Sequence, residues 1–396
     1  MSAGEFTESV AGVCAAAGFR TAGVKAGIKA NGGFDLVLVV SDTPASVAGT
    51  FTTHKACAAP VLVSRERARW GRSRGVVVNA GCANAATGGR GLEDAETMAA
   101  LAAEAVGAGP AELLVCSTGK IGSYLPMDKV ARGINDAAAA LGTDDERAAR
   151  AILTTDTQPK RAAITQASGW RLGGMAKGAG MIAPNMATML AFLTTDAAIS
   201  PDLLQAALGP AVDNSFNTIT VDGEPSTNDT VLVFANGASG VEPAPDEVGA
   251  ALENVCLRLA EAIVADGEGA TKFIRVRVTG AASAHEARRA ARTVADSMLF
   301  KTAMYGSDAN WGRIYAAVGK SEVTLDLGAL SIAMAGVTVF DHGLPVGDEA
   351  VRKAEQALRS HDVAVDCDLG IGDGAAEIRT TDLSHAYVDI NAEYEP

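Results

Sequence analysis

A glycine-rich, almost uncharged segment runs from Lys177 to a threonine at position 188, and an apolar, strand-like run follows at residues 189–193. A threonine hydroxyl is a poor nucleophile at its free pKa, so it needs an adjacent base. A chain break after Ala187 would free an α-amino group, whose reference pKa of about 7.7–8.0 suits that task near neutral pH. The pattern predicts Thr188 as an N-terminal nucleophile at the start of a strand.

A second candidate is the sequence Cys116-Ser117-Thr118-Gly119, which ends an apolar, strand-like run. Such a sequence is often only a turn, but its glycine allows backbone N–H groups to point at a ligand, as an oxyanion site requires. Cys116 is the weaker nucleophile candidate, because a thiol inside an apolar strand behaves as a small hydrophobe. Lys177 could hold a substrate carboxylate near Thr188; an ordinary surface lysine is the alternative.

Other motifs are less specific. The segment 266–272 lacks the spacing of a phosphate-binding loop, and its Glu268, between two glycines, suits a cation instead. The glycines at 370–374 precede a strand-like run rather than a helix, which argues against a dinucleotide site. Residues 310–313 read as a polar-aromatic turn, with a structural and a catalytic role both open. The five histidines show no metal-ligand spacing, so no metal is predicted.

Taken together, these motifs resemble the ornithine acetyltransferases, which are bifunctional glutamate N-acetyltransferase/amino-acid acetyltransferases of the self-cleaving, N-terminal-nucleophile type. The resemblance covers nearly the whole chain. Beside the loop before Thr188, the matching segments occur in order at residues 76–85, 116–119, 154–157, 215–223, 226–230, 266–272, 310–313 and 387–394.

The resemblance implies self-cleavage between Ala187 and Thr188, which gives an α-chain, 1–187, and a β-chain, 188–396. It implies that Thr188 is the nucleophile and that Thr118 and Gly119 stabilise the oxyanion. The substrate-binding residues that it implies are Thr154, Lys177, Thr188, Glu268 and Asn391, with Glu268 on the amine side of the substrate. Spacing leaves open whether Thr154 or Thr155 faces the pocket.

The end of the chain departs from the family pattern. Members commonly end in Asn-Ala-Asp-Tyr followed by hydroxyl residues, the last of them near the substrate. Here Asn391-Ala-Glu-Tyr394 is followed by Glu395 and Pro396, so Pro396 stands at the substrate-binding end without a hydroxyl. The segment 223–226 also differs from the usual Asp-Thr-Ser run.

The activity that the resemblance implies is transfer of an acetyl group from N-acetylornithine to glutamate through an acetyl-threonine, in arginine biosynthesis. No cofactor is needed for this cycle; acetyl-CoA stays open as another donor, although the sequence has no nucleotide motif. Small molecules are the expected partners, and an α2β2 heterotetramer the expected assembly. Two alternatives stay open: a self-cleaving amidohydrolase or aminopeptidase of related fold, and an unprocessed, non-catalytic homologue.

Composition limits the class of protein. The chain of 396 residues is 48% hydrophobic and 5% aromatic, with 43 glycines, as in a globular protein with a large core. A net charge of −14 argues against nucleic-acid binding, which needs clustered lysine and arginine. We find neither a signal-peptide pattern nor an apolar run long enough to span a membrane, and the six scattered cysteines suggest a reducing, cytoplasmic location.

Strands and helices alternate irregularly, which favours an α+β fold of stacked β-sheets flanked by helices, with a smaller α/β lobe in the C-terminal half. The resemblance implies an N-terminal-nucleophile-like sandwich. Strands are predicted at 36–40, 75–78, 113–116, 231–234, 273–278 and 363–369. Helices are predicted from Ser200 and at 93–106, 127–141, 246–265, 285–304 and 348–360. The segment 237–246 is predicted to be a surface loop.

Overall fold

The computed structural model describes residues 6–183 and 189–393. Ala187, Thr188 and Pro396, on which the sequence-based hypothesis places the cleavage site, the nucleophile and the chain end, lie outside the described residues. The chain forms two compact units. Among the described residues, the first contains 6–183, 189–217 and 224–263, and the second contains 218–223 and 264–393.

The first unit contains nine of the described strands and six of the described helices. The strands are β1 Phe6–Ser9, β2 Phe19–Val24, β3 Leu36–Phe51, β4 Arg72–Cys82, β5 Leu113–Lys120, β6 Lys160–Gln166, β7 Arg171–Lys177, β8 Leu190–Thr195 and β9 Thr230–Ala235. The helices are α1 Ala59–Ala68, α2 Gly88–Ala105, α3 Met127–Ala139, α4 Asp145–Ala151, α5 Pro201–Asp213 and α6 Pro245–Ala265. A short 3-10 helix covers Phe216–Thr218.

These strands form one mixed sheet in the order β1-β6-β7-β8-β9-β3-β4-β5, and β2 also pairs with β3. The pairs β8–β9 and β4–β5 are parallel, and the other neighbours are antiparallel. Strand β3 connects the two halves of the sheet. Its residues 36–41 pair with β2, whereas 46–51 pair with β9, and its register with β4 shifts between Val40 and Ala45.

The sheet folds over so that its halves face each other. Strands β7 and β5 are five positions apart in the order above, which would separate them by roughly 24 Å in a flat sheet. Nevertheless Lys177 Nζ at the end of β7 lies 3.4 Å from Thr118 Oγ1 in β5. Side chains of both halves also share one buried cluster, which includes Val39, Val78, Phe192 and Phe234. The stacked arrangement brings the ends of distant strands together.

Helices cover the outer side of the half that contains β3, β4 and β5. Alternate residues of these strands, such as Leu38, Val77 and Val115, point into a second buried cluster. There they pack against Met98 of α2 and Ile134 of α3. A strand with both faces buried reads as a continuous apolar run, which is why residues 36–40, 75–78 and 113–116 were recognisable as strands in the sequence.

The second unit contains a smaller mixed sheet in the order β13-β12-β11-β14-β10-β15. The described strands are β10 Phe273–Ala281, β11 Ser331–Met334, β12 Val337–Asp341, β13 Leu344–Pro345, β14 Asp362–Asp368 and β15 Gly374–Thr381. The described helices are α7 Ala284–Ala295, α8 Met298–Tyr305, α9 Trp311–Gly319, α10 Asp348–Ala357 and α11 His385–Ala392. Strands β10 and β14 are parallel. Helices and sheet share one cluster, in which Val276 and Val365 meet Val294, Phe300 and Ile314.

Two local predictions were wrong. The helix predicted over 285–304 is two helices, because Ser297 begins a new helix and its hydroxyl accepts from the N–H of Phe300. The predicted turn at 310–313 is the start of α9, with Asn310 at its N-cap position. Helical periodicity continues across a break, and an Asn before an apolar residue is typical of a helix start as well as of a turn.

The predicted fold class is confirmed: stacked mixed sheets flanked by helices, with a smaller α/β lobe in the C-terminal half. Most of the loop predicted at 237–246 lies between β9 and α6, and its last two residues are the first two of α6. A strand, β15, does follow the glycines at 370–374. Among the described helices, none is both long enough and apolar enough to cross a membrane.

Candidate functional site

The end of β5 has a backbone geometry that requires glycine. Gly119 has φ +124°, a region that side chains rarely adopt. A Cβ at this position would lie 2.4 Å from the carbonyl carbon of Gly81 and 2.7 Å from the nitrogen of Cys82 in β4. Gly119 is therefore fixed by conformation and by the close approach of β4. Thr118, directly before it, is 9% exposed.

The backbone around this strand end is held by amide side chains. Asn79 Nδ2 donates to the carbonyl oxygen of Cys82 at 2.8 Å, and Ser117 Oγ donates to Asn79 Oδ1 at 2.6 Å. Asn228 Nδ2 donates to the carbonyl oxygens of Ser117 and Ala83, at 2.8 and 2.7 Å. These buried bonds fix the ends of β4 and β5 beside each other, and an oxyanion site depends on such fixed backbone groups.

Lys177 is the last residue of β7 and is only 6% exposed. Its Nζ donates to Thr118 Oγ1 over 3.4 Å, a long hydrogen bond between residues 59 positions apart. Of the residues predicted for the site in the first unit, the structure thus brings Lys177 and the Thr118–Gly119 pair together. A buried cation beside the predicted oxyanion residues can attract a substrate carboxylate.

A buried carboxylate, Asp156, lies behind Lys177. Its side chain is 0% exposed, and its Oδ1 accepts from Lys160 Nζ at 2.7 Å and from the N–H of Gly178 at 2.6 Å. Its Oδ2 accepts from the N–H of Thr154 at 3.1 Å. Thr154, predicted as a substrate residue, is half-buried and is tied to this cluster through its backbone.

Charge keeps Asp156 ionised. Burial by itself raises the pKa of a carboxyl group, but the ammonium groups of Lys177 and Lys160 oppose this, together with the hydrogen bonds from Lys160 and Gly178. The net result lowers the pKa of Asp156 to about 2. The carboxylate is therefore charged at neutral pH.

A third lysine belongs to the same charge cluster. Lys29 Nζ donates to the carbonyl oxygen of Phe34 at 2.6 Å, and its stem packs on Gly81, whose Cβ would lie 3.0 Å from Lys29 Cγ. Burial lowers the pKa of Lys29 to about 8; the charges of Asp35 and Asp156 oppose the fall, and that of Lys177 adds to it. Lys29 thus loses its proton just above neutral pH.

The second unit holds the other predicted site residues. Asn391 in α11 donates from Nδ2 to Glu268 Oε2 at 2.8 Å and to the carbonyl oxygen of Tyr387 at 3.0 Å. Glu268 is 8% exposed. The structure thus brings Glu268 and Asn391 together, and it shows Asn391 as the group that orients the carboxylate.

The loop that carries Glu268 is docked on the start of α11. Gly269 has φ +65°, and a Cβ there would lie 2.5 Å from the nitrogen of Tyr387. Ser384 caps α11 by accepting from the N–H of Tyr387 at 3.3 Å, and its hydroxyl donates to the carbonyl oxygen of Gly269 at 2.6 Å. Asp382 accepts from the N–H and the hydroxyl of Thr271. The loop and the helix therefore position Glu268 as one piece.

A buried lysine supports this region of the second unit. Lys301 Nζ donates to Thr380 Oγ1 at 3.0 Å and to both oxygens of Thr381. Burial lowers its pKa to about 8, although the charges of Asp296, Asp382 and Asp222 oppose the fall. These contacts hold β15 against α8, so we assign Lys301 a structural role.

Sequence reasoning missed Asp156, Lys160 and Lys29. Asp156 belongs to a matching segment, 154–157, but we considered only its threonines. The spacing Asp156–Lys160 was a weak signal, since four residues bring two side chains together only in a helix, and this segment leads into a strand. Nothing in the sequence around Lys29 indicated that it belongs to this cluster. Where the structure is described, His, Cys, Asp and Glu side chains form no group of three or more that could hold a metal.

Comparison with known proteins gives the family. A family model described as the ArgJ family matches residues 20–396. A relative from Geobacter sulfurreducens, named arginine biosynthesis bifunctional protein ArgJ, is 50% identical over 388 residues, which cover 95% of this chain and 98% of the relative. A relative of the same name from Mycolicibacterium paratuberculosis is 48% identical over 393 residues, covering 97% and 96% of the two chains.

A solved structure is also similar. The crystal structure of an arginine biosynthesis bifunctional protein from Bacillus halodurans is 42% identical to this chain, with a TM-score of 0.50. The match covers 52% of this chain and 100% of the solved chain.

The folded-over mixed sheet, flanked by helices, defines a protein of the α+β sandwich class. The ArgJ family model matches nearly all of the sequence, and the chain therefore belongs to the ArgJ family. This confirms the resemblance predicted from the sequence, and with it the assignment to the acetyltransferases.

Proposed function

We propose that this chain transfers an acetyl group from N-acetylornithine to glutamate, through an acetyl-threonine intermediate on Thr188, in arginine biosynthesis. The observation that carries the proposal is the contact of Lys177 Nζ with Thr118 Oγ1, beside the constrained backbone of Gly119. A site that transfers an acyl group between amino acids needs a cation for the substrate carboxylate and fixed groups for the oxyanion, and this contact supports both roles. The family membership supports the same activity.

In the first half-reaction, Thr188 Oγ attacks the acetyl carbonyl of N-acetylornithine, and its α-amine takes the hydroxyl proton. Thr118 and Gly119 stabilise the negative charge that develops on the carbonyl oxygen. The C–N bond then breaks, the ornithine nitrogen takes the proton from the α-amine, and ornithine leaves. Lys177 holds the substrate carboxylate, and Glu268, oriented by Asn391, holds an amino group.

In the second half-reaction, the neutral α-amine of glutamate attacks the acetyl-threonine ester, and the same oxyanion site is used again. The α-amine of Thr188 takes the proton that the attacking nitrogen loses and passes it to Thr188 Oγ as the ester C–O bond breaks, and N-acetylglutamate leaves. These two steps need no cofactor.

Self-cleavage between Ala187 and Thr188 supplies the free α-amine, and it divides the protein into chains 1–187 and 188–396. The two described strands on either side of the junction support this proposal. Lys177 at the end of β7 pairs with Leu190 at the start of β8, so the sheet holds both flanks of the intervening segment. The products stay together in this scheme, and two copies of each chain form an α2β2 assembly in the cytoplasm.

The test is product analysis with N-acetylornithine as donor and a panel of acceptors: glutamate, glutamine, aspartate and water alone. We expect ornithine and N-acetylglutamate in equal amounts with glutamate, and little ornithine without an acceptor. Lys353, an exposed lysine in α10, offers a matched control for Lys177. Lys353→Ala should leave these yields unchanged, whereas Lys177→Ala should lower them.

Two other outcomes would overturn the proposal. Equal release of ornithine with and without glutamate, accompanied by free acetate, would indicate a hydrolase. No turnover of any donor by a protein that stays one chain would indicate a non-catalytic homologue. Acetyl-CoA, offered in place of N-acetylornithine, shows whether this chain uses a second donor.

A further inference from the structure

The buried carboxylate of Asp156 joins several segments of the first unit next to Lys177. It is 0% exposed, and it accepts from the backbone N–H of Gly178, which is the first residue after Lys177. It also accepts from Lys160 Nζ and from the backbone N–H of Thr154. One carboxylate thus contacts Lys160 at the start of β6, the backbone of Gly178 directly after β7, and the backbone of a predicted substrate residue.

The charges around Asp156 come from three separate parts of the first unit. Lys160 is at the start of β6, Lys177 is at the end of β7, and Lys29 precedes β3. Among these groups, Asp156 is the carboxylate that acts on all three lysines, while Asp35 acts on Lys29. Buried ammonium groups close together disfavour each other's charged form unless a negative charge lies between them.

We propose that Asp156 is a positioning residue of the acyl-transfer site, which keeps the Lys177 ammonium in place for the substrate carboxylate and fixes Gly178 at the start of the segment leading to Thr188. It does not touch the reacting atoms and acts through Lys177 and the backbone of Gly178. The role of Asp156 in holding Lys177 rests on the proposed function. Its role in fixing Gly178 concerns self-cleavage and does not depend on any substrate.

The key variant is Asp156→Asn, which keeps the size of the side chain and removes its charge. The matched control is Asp145→Asn. Asp145 is another buried carboxylate of the first unit, and it accepts from the N–H groups of Gly12 and Cys14 at 2.8 and 2.7 Å. Asp156→Glu restores the charge in a longer side chain.

The first measurement follows self-cleavage over time on a denaturing gel. We expect Asp156→Asn to cut at least about ten times more slowly than wild type, as expected when a bond that orients the reacting backbone is weakened. Asp145→Asn should cut at the wild-type rate, and Asp156→Glu should cut faster than Asp156→Asn. Equal rates in Asp156→Asn and wild type, or equal slowing in both Asn variants, would overturn the loop-anchoring role.

The second measurement is the Kd of ornithine for the cleaved proteins, obtained by calorimetry over a series of pH values. Without Asp156, the positive charges around it lose their counter-charge, and Lys29, whose pKa this carboxylate raises, should lose its proton at a lower pH, so the weakening of ornithine binding should begin about one pH unit lower than in wild type. The titration of ornithine itself is common to all variants. Asp156→Glu and Asp145→Asn should keep the wild-type profile.

An unshifted pH profile in Asp156→Asn would overturn the role in holding Lys177. If Asp156→Asn is not cleaved at all, the same gel compares it with Asp156→Glu. Self-cleavage of Asp156→Glu supports the proposal, and its absence contradicts the proposal. Failure of wild type to bind ornithine at any pH would instead count against the proposed function, so the two failures are distinguishable.

Discussion

At the scale of single residues, the predicted site of the first unit is rich in buried amino groups. Lys177 contacts Thr118, and Asp156 accepts from Lys160 and from the backbone of Gly178. Amino acids carry carboxylates, which a buried ammonium group such as that of Lys177 attracts. Within the second unit, the carboxylate of Glu268 accepts from the side-chain amide of Asn391.

Replacing Lys177 should damage substrate recognition. Removing one partner of a buried charged contact costs roughly 2–5 kcal/mol, so Lys177→Ala should lose about two to three orders of magnitude in kcat/KM. Self-cleavage of the variant must first be verified on a gel, because an uncut protein would be inactive for another reason. Near-normal kinetics in a fully cut Lys177→Ala protein would remove Lys177 from the site.

Asp156 should make the protein more stable at neutral than at acid pH. Its pKa falls from the ordinary 3.8 to about 2 in the folded state, so its contribution is complete above pH 4 to 5 and disappears as the pH falls through about 2. The loss amounts to about 2 kcal/mol of unfolding free energy.

This is measured by comparing Asp156→Asn with its parent at several pH values, both in the uncut Thr188→Ala background. The difference in unfolding free energy between the two proteins should shrink by about 2 kcal/mol between about pH 6 and about pH 2. A difference that stays constant over this range would contradict the assigned pKa.

At the scale of elements, strand ends position the site. Strands β4 and β5 approach each other so closely at Gly81 and Gly119 that no side chain fits between them, and the folding of the sheet brings the end of β7 onto β5. The sequence Ser-Thr-Gly after an apolar run suggested such a strand end, but only the structure shows what Gly119 packs against.

Substitution of Gly119 tests this packing. Gly119→Ala places a Cβ 2.4 Å from a backbone atom of Gly81, so we expect a loss of at least about 3 kcal/mol in unfolding free energy and loss of transfer activity. Gly122→Ala is the matched control, because Gly122 has φ +83° but no atom within 4 Å of an added Cβ. The control should lose only about 1–2 kcal/mol, measured by urea unfolding. Equal losses in the two variants would show that conformation alone, and not packing, requires Gly119.

The pairing of β7 with β8 predicts how a cut protein behaves. The two strands share a ladder from Leu172 to Lys177, and Met175 and Phe192 belong to the same buried cluster. Chains 1–187 and 188–396 should therefore elute together in native gel filtration, at the volume of uncut Thr188→Ala protein, and separate only in denaturant. Separate peaks under native conditions would contradict the shared sheet.

At the scale of the whole molecule, the sequence predicted the fold class and the family better than it predicted the site. Strands buried on both faces appear as apolar runs, which is why the middle of the first sheet and strands β10 and β14 were recognisable. Strand β3 was predicted only up to residue 40, because the polar residues at its register shift hide the continuation to Phe51. Beyond the weak signal of the Asp156–Lys160 spacing, the cluster of Asp156 was not predictable, since Lys29 and Lys177 are far from each other in the chain.

The central claim is that an acetyl group passes through Thr188 of a cut chain. The most direct measurement is the intact mass of both chains after incubation with N-acetylornithine without an acceptor. We predict a chain that begins at Thr188 and carries one acetyl group, which disappears when glutamate is added and N-acetylglutamate forms. An active protein that remains one uncut chain, or turnover during which the acetyl group never appears on chain 188–396, would contradict the account.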